Sequence, residues 1–172
     1  MIRPVIYRKM NPYIQKILAI TMKDLQGEEP LASVAKAFFD WCGDCDTLIA
    51  WSGNDFGVLE KNLAHIGMKI PEQLGRYDVQ MAYAYRTENS IRNYALKAAV
   101  EAMELPEPEG QEYHDAYCDA QFTAAIGRAL TERYGPLPAV EELQALKKHT
   151  AKSSAVKENF FIWFLPSFLC FI

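Results

Sequence analysis

Thr47-Leu-Ile-Ala-Trp51 is a short apolar run behind a turn containing Gly and Asp. The period changes directly after it, and Phe56, Leu59, Leu63 and Ile66 recur at helical spacing up to Gly67. A buried strand that passes at once into an amphipathic helix constrains the chain more than any other feature. Strands in that setting run parallel to their neighbours, because the helix carries the chain back across the sheet. Tyr77 to Tyr83 reads as the second strand of such a pair. Strand–helix alternation then implies an α/β domain, a parallel sheet segment with helices packed on it.

The remaining elements follow from spacing and punctuation. Residues 1–24 hold no strong periodicity, and Asn11-Pro12 marks a turn. Thr21 with Asp24 three residues on suits the cap of a short helical turn. Leu31, Val34, Ala35, Phe38 and Phe39 predict an amphipathic helix over 31–42. Ile91, Tyr94, Ala95, Ala98 and Ala102 predict another, and Pro106, Pro108 and Gly110 a loop. A long helix is expected from about His114 to Tyr134, stopped by Gly135-Pro136, and a last one over 138–149.

A length of 172 residues suits one domain with a real core. The net charge of −4 rules out a strongly basic nucleic-acid footprint over the whole surface, but not a nuclease, whose metal site is itself a cluster of acids. The first ten residues carry charge and no apolar stretch, unlike a secretory leader. Cys42, Cys45, Cys118 and Cys170 are therefore expected as free thiols in a reducing cytoplasm. Cys42-Gly-Asp-Cys45 is a lone C-x-x-C, with neither a thioredoxin-like context nor two further zinc ligands nearby.

Two stretches carry chemistry. In Trp51-Ser-Gly-Asn54-Asp55, Asp55 follows a strand and opens a helix, at the carboxyl end of the sheet where ligands gather in open α/β folds. The alternative is a plain helix cap. In His114-Asp-Ala-Tyr-Cys-Asp119-Ala120, a His stands at a helix start and an Asp follows on the first turns. A neutral imidazole there can accept a proton from an attacking water while a nearby carboxylate binds a cation. Asp115 competes with Asp119 on spacing alone, since i and i+4 share a helix face.

Taken in order, these pieces resemble the DEDDh-type 3′–5′ exonucleases, the group that includes ribonuclease T and the proofreading subunit of bacterial DNA polymerase III. Ile20-Thr21 with Asp24-Leu25 is similar to the family's "T-G-I-T-x-x-x-L" stretch, with Ala19 where Gly is usual. Phe38 to Trp41 resembles the helix end before the central strand. Ile49-Ala-Trp51 with Asn54-Asp55 resembles the second exonuclease motif. Tyr77-Asp78 resembles the following strand, and His114-x4-Asp119-Ala120 with Ala124 the third motif. The likeness spans roughly residues 8–130.

The resemblance implies a ribonuclease H-like fold, a mixed five-stranded sheet flanked by helices. It implies two-metal phosphodiester hydrolysis that releases nucleoside monophosphates from the 3′ end of DNA or RNA. It makes Asp55 and Asp119 metal ligands, His114 the general base, and Trp51 and Asn54 substrate contacts. Mg²⁺ or Mn²⁺ suits such carboxylate sites. The family's first motif, an Asp-x-Glu on the first strand, occurs nowhere in this sequence. Asp44-Cys-Asp46 precedes the central strand, at the wrong end, and Glu107-Pro-Glu109 follows no strand. The expectation is a fold incomplete at the N-terminus, its first strands missing, with impaired hydrolysis. The alternative is an inactive remnant that binds nucleic acid or a protein. An incomplete sheet also exposes an edge, so a homo-oligomer is an expectation.

The domain is expected to occupy 1–149, followed by a polar linker over 150–158. Residues 159–172 form an apolar tail with a central Pro. Fourteen residues are too few to span a bilayer as a helix. Three readings stand: a segment packed in a groove, an interfacial anchor, or a non-native tail from a shifted reading frame.

Overall fold

In a computed structural model of the chain, residues 1–4, 9–106, 113 and 115–153 are described; at 14, 17, 18 and 149–153 the description covers the backbone alone. His114 and the 159–172 tail lie outside the described residues.

Two strands occur among the described residues, β1 (Thr47–Ala50) and β2 (Gly75–Asp78). They pair in parallel with Thr47 opposite Gly75 and Ala50 opposite Asp78. The crossover between them carries α4 (Gly53–His65), as the change of period predicts. This register brings the end of β1, the start of α4 and Asp78 to one edge of the sheet.

Ahead of β1 stand α1 (Pro12–Leu18), α2 (Met22–Gln26) and α3 (Leu31–Cys42). Asn11-Pro12 is a helix start rather than a free turn. The Asn11 side chain accepts from the Tyr13 amide, and Pro12 sits where its missing N–H costs nothing. Thr21 and Asp24 form a reciprocal capping box on α2. Leu31 and Ala35 of α3 and Leu59 and Leu63 of α4 bury with Ile70 and Leu74 in a largely aliphatic cluster.

The stretch expected as a strand from Tyr77 to Tyr83 divides at Asp78. β2 ends there, and α5 (Val79–Glu88) begins. Asp78 causes the division, because its Oδ1 accepts from the Met81 amide at 2.9 Å and caps the new helix. Val79, Ala82, Tyr83 and Ala84 are all buried, and an apolar run of that kind shows no strand or helix period on its own. The next helix, α6 (Leu96–Ala102), starts later than expected. Residues Ser90–Ala95 ahead of it are non-helical, and the Tyr94 carbonyl accepts from both the Trp51 indole at 3.0 Å and Gln80 Nε2 at 2.7 Å.

The long helix is α7 (Ala116–Tyr134), ended by Gly135 at φ 81°. It packs with α5 and α6 in a second, more aromatic cluster around Tyr83, Val100, Phe122, Ile126 and Leu130. The last helix, α8 (Val140–Ser153), runs past 149 into the segment expected as a linker. Among the described residues no helix is long and apolar enough to cross a membrane.

Candidate active site

Ser52 leaves β1 in an extended conformation, and its side chain accepts from the Asn54 amide to cap α4. The Gly53 amide donates to Asp78 Oδ2 at 2.8 Å. A Cβ at Gly53 would lie 2.9 Å from that oxygen, so only glycine allows this approach. One carboxylate thus ties together the first turns of α4 and α5. Burial pushes the Asp78 carboxyl above its usual range, and hydrogen bonds from Met81 and Gly53 together with the charge of Lys147 pull it back.

Asp55 stands in that first turn of α4 and is 6 % exposed. It is not the cap, a role that falls to Ser52. Burial pushes its carboxyl up to about 6; a backbone hydrogen bond from Ser52 opposes this, while Asp78 and Asp119 add to it. The charged neighbours acting on Asp55 are therefore two further acids.

Asp119 comes from the first turn of α7 and is 9 % exposed. Asp115, its rival on spacing, is exposed and caps α7 by accepting from the Cys118 amide at 3.0 Å. That hydrogen bond holds its carboxyl below the usual range. Burial therefore separates two residues that spacing left equal, and Asp119 is the one that acts on Asp55. The charge of Asp119 reaches Asp55, although 64 positions separate the two carboxylates (119 − 55).

Asn54 is exposed on the outer side of the α4 turn. Trp51 is half-buried, its ring 6.0 Å from that of Tyr83 and its N–H bonded to Tyr94. Its indole is engaged in holding the Ser90–Ala95 segment. Cys42 is buried and Cys45 exposed, both free thiols.

Sequence reasoning missed Asp78 as part of this arrangement. The signal was present, since an Asp directly before Val79-Gln-Met matches a helix cap. Its burial and its bond to Gly53 depend on strand register.

Two buried carboxylates from separate helix starts, with no counter-charge among the groups that shift Asp55, are a donor set that suits a hard divalent cation. Among the described residues no group of three or more His, Cys, Asp or Glu side chains converges to hold a metal.

An α/β unit with a parallel strand pair and acids gathered at the carboxyl ends of its strands defines a class of ligand-binding folds. Within that class the sequence is specific: residues 1–126 match the RNase_T family, described as exonuclease. The chain belongs to this family of DEDDh-type 3′–5′ exonucleases. No curated protein matches the sequence.

Proposed function

We propose that this domain acts on the 3′ end of a nucleic acid by divalent-cation-dependent phosphodiester hydrolysis. The observation that supports the reading is that Asp55 and Asp119 are both buried acids and that the charge of Asp119 adds to the cost of ionising Asp55. Family membership supplies the reaction class.

Asp55 and Asp119 would hold the cation, Mg²⁺ or Mn²⁺. When bound, it supplies charge stabilisation for the phosphate and for the oxygens entering and leaving it. His114, next to the cap of α7 in sequence, is assigned as the general base that takes a proton from the attacking water. Asn54 offers an exposed amide to the substrate, and Trp51 acts one step back by fixing the Ser90–Ala95 wall. The sheet belonging to this reading is the ribonuclease H-like one, of which β1 and β2 would be the parallel pair.

Asp-x-Glu is absent from these 172 residues. Two carboxylates neutralise a pair of divalent ions poorly, so the 172-residue chain is expected to hydrolyse weakly. The test is release of nucleoside monophosphates from single-stranded DNA and RNA labelled in the 3′-terminal nucleotide, in Mn²⁺. Slow release, lost in Asp55→Asn and in Asp119→Asn and reduced in His114→Ala, is the expected result. Rapid release that survives both aspartate substitutions would show that the ligands lie elsewhere.

A second reading, a binding domain without hydrolysis, follows from the lack of an Asp-x-Glu in these 172 residues. It predicts oligonucleotide binding in EDTA and no release of monophosphates in any divalent ion.

A further inference from the structure

A cleft of about 520 Å³ opens between the start of α4, the Ser90–Ala95 segment and α8. Its lining brings in Arg76 from β2, Arg92 from the segment and Lys147 from α8. Three cations from three separate elements converge here, on a chain whose net charge is −4. Asn54 and Gln144 add neutral polar groups, while Phe56, Met81, Ile91 and Leu143 add apolar surface.

The acids near the cleft offset this bias only in part. Asp78 lies in the lining, where its two oxygens accept from the Gly53 and Met81 amides and the charge of Lys147 acts on it. Glu60 pairs with Arg76 at 2.8 Å, and both side chains are nearly half exposed. Such a pair is weak and open to competition from another anion. Arg92 is exposed, with its guanidinium 5.5 Å over the Tyr94 ring. Lys147 is exposed as well.

The wall of the cleft is held in place. Trp51 and Gln80 both donate to the Tyr94 carbonyl, so the segment carrying Arg92 is fixed to the end of β1 and the start of α5. Asn54, in the lining, directly precedes Asp55. The cleft and the carboxylate pair are therefore two sides of one helical turn.

We propose that this cleft carries the phosphodiester backbone of the single strand whose 3′ end reaches the Asp55–Asp119 site. The assignment rests on the function proposed above. A row of cations with apolar surface between them suits a strand, because phosphates meet the charges while sugars and bases cover the apolar part. Interactions of this kind position a strand without reading its sequence.

The experiment is fluorescence anisotropy with the full chain and a labelled single-stranded oligonucleotide, in EDTA so that no hydrolysis occurs. Arg92→Ala with Lys147→Ala should weaken binding roughly tenfold. The slope of log K against log salt should shrink by about 0.7 for each phosphate that is no longer neutralised. Lys148→Ala, on the same helix and outside the lining, should bind as the wild type does.

Equal affinity of the Arg92/Lys147 variant and the wild type would overturn the cleft while leaving the proposed hydrolysis standing. So would an equal weakening in Lys148→Ala, which would show a diffuse charge effect. Displacement of the oligonucleotide by a mononucleotide at equal ionic strength would put a single nucleotide there and overturn the strand. Failure of the wild type to bind any oligonucleotide would remove both proposals.

Discussion

Asp115 and Asp119 stand one turn apart at the start of α7 and serve opposite ends. Asp115 faces solvent, accepts the Cys118 amide, and ionises more readily than a free aspartate. Asp119 is buried and adds to the cost of ionising Asp55. The same contrast appears earlier in the chain, where exposed Asp24 closes the α2 capping box and buried Asp55 caps nothing. An acid in the first turn of a helix generally stabilises it by meeting the positive end of the dipole. At Asp55 burial exceeds that benefit. Asp78 falls between the two kinds, half-buried and raised by that burial like Asp55, and capping like Asp115.

The sharpest way to break this contrast is Asp78→Ala. It leaves the Gly53 and Met81 amides without their acceptor, and the expected loss is about 2–4 kcal/mol, part of it offset by removal of a buried charge. Urea unfolding at pH 7.5 measures it. A loss below about 1 kcal/mol would class Asp78 with the solvent-facing caps.

A cation should reverse the cost at the buried pair. Mn²⁺ at about a hundred times its Kd should stabilise the wild type by ~2.7 kcal/mol. Thermal melts with and without the ion read this, with Asp55→Asn as the comparison. An equal rise in Tm for both proteins would move the ion away from Asp55.

Without divalent ions, Asp55→Asn should itself stabilise the protein at pH 7.5. The folded carboxyl titrates at about 6 against an ordinary 3.8, so the native state holds its proton more tightly than the unfolded chain does. The resulting stability is full below 3.8 and is lost as pH rises through about 6. At pH 7.5 the wild type carries the whole penalty, about 1–2 kcal/mol after allowance for the water that still reaches the group. Melts in EDTA at pH 4, 5, 6 and 7.5 should show the advantage of Asn shrinking towards acid. A gain independent of pH would exclude the buried charge as its cause.

Asp115→Ala should cost about 1 kcal/mol at pH 7.5, as the loss of a helix cap. Its pH dependence runs opposite to that of Asp55, because a depressed carboxyl contributes above its unfolded pKa and loses that contribution as pH falls. Chemical unfolding of the variant at pH 7.5 and pH 3 tests this; the difference from wild type should fade at the lower pH. A variant as stable as wild type at pH 7.5 would remove Asp115 from the capping class.

Much of this was legible in the chain. Thr21 and Asp24, the 31–42 periodicity and the Gly135 stop each depend on residues within a few positions of one another, and the structure places α2, α3 and the end of α7 where they indicate. The order of motifs around Asp55 and Asp119 indicated the exonuclease family, to which residues 1–126 belong. Local signals misled at Tyr77–Tyr83, where a largely apolar stretch conceals a strand that ends at Asp78 and a helix that begins at Val79. They also extended α6 back to Ile91, because Tyr94 is apolar for a reason outside its own segment: its ring meets that of Tyr83 at 5.2 Å, and its carbonyl accepts from Trp51.

The sequence by itself determined where α2 and α3 lie, where α7 ends and which kinds of side chain stand at helix first turns, because capping and periodicity are short-range. Only the tertiary structure decided which of those acids bear their charge in water and which against one another. The parallel register that sets Ala50 against Asp78, and the packing of α7 on α5, α6 and β1, join residues far apart in the chain. Burial of a carboxylate is a property of that arrangement, and an aspartate in a sequence carries no mark of it.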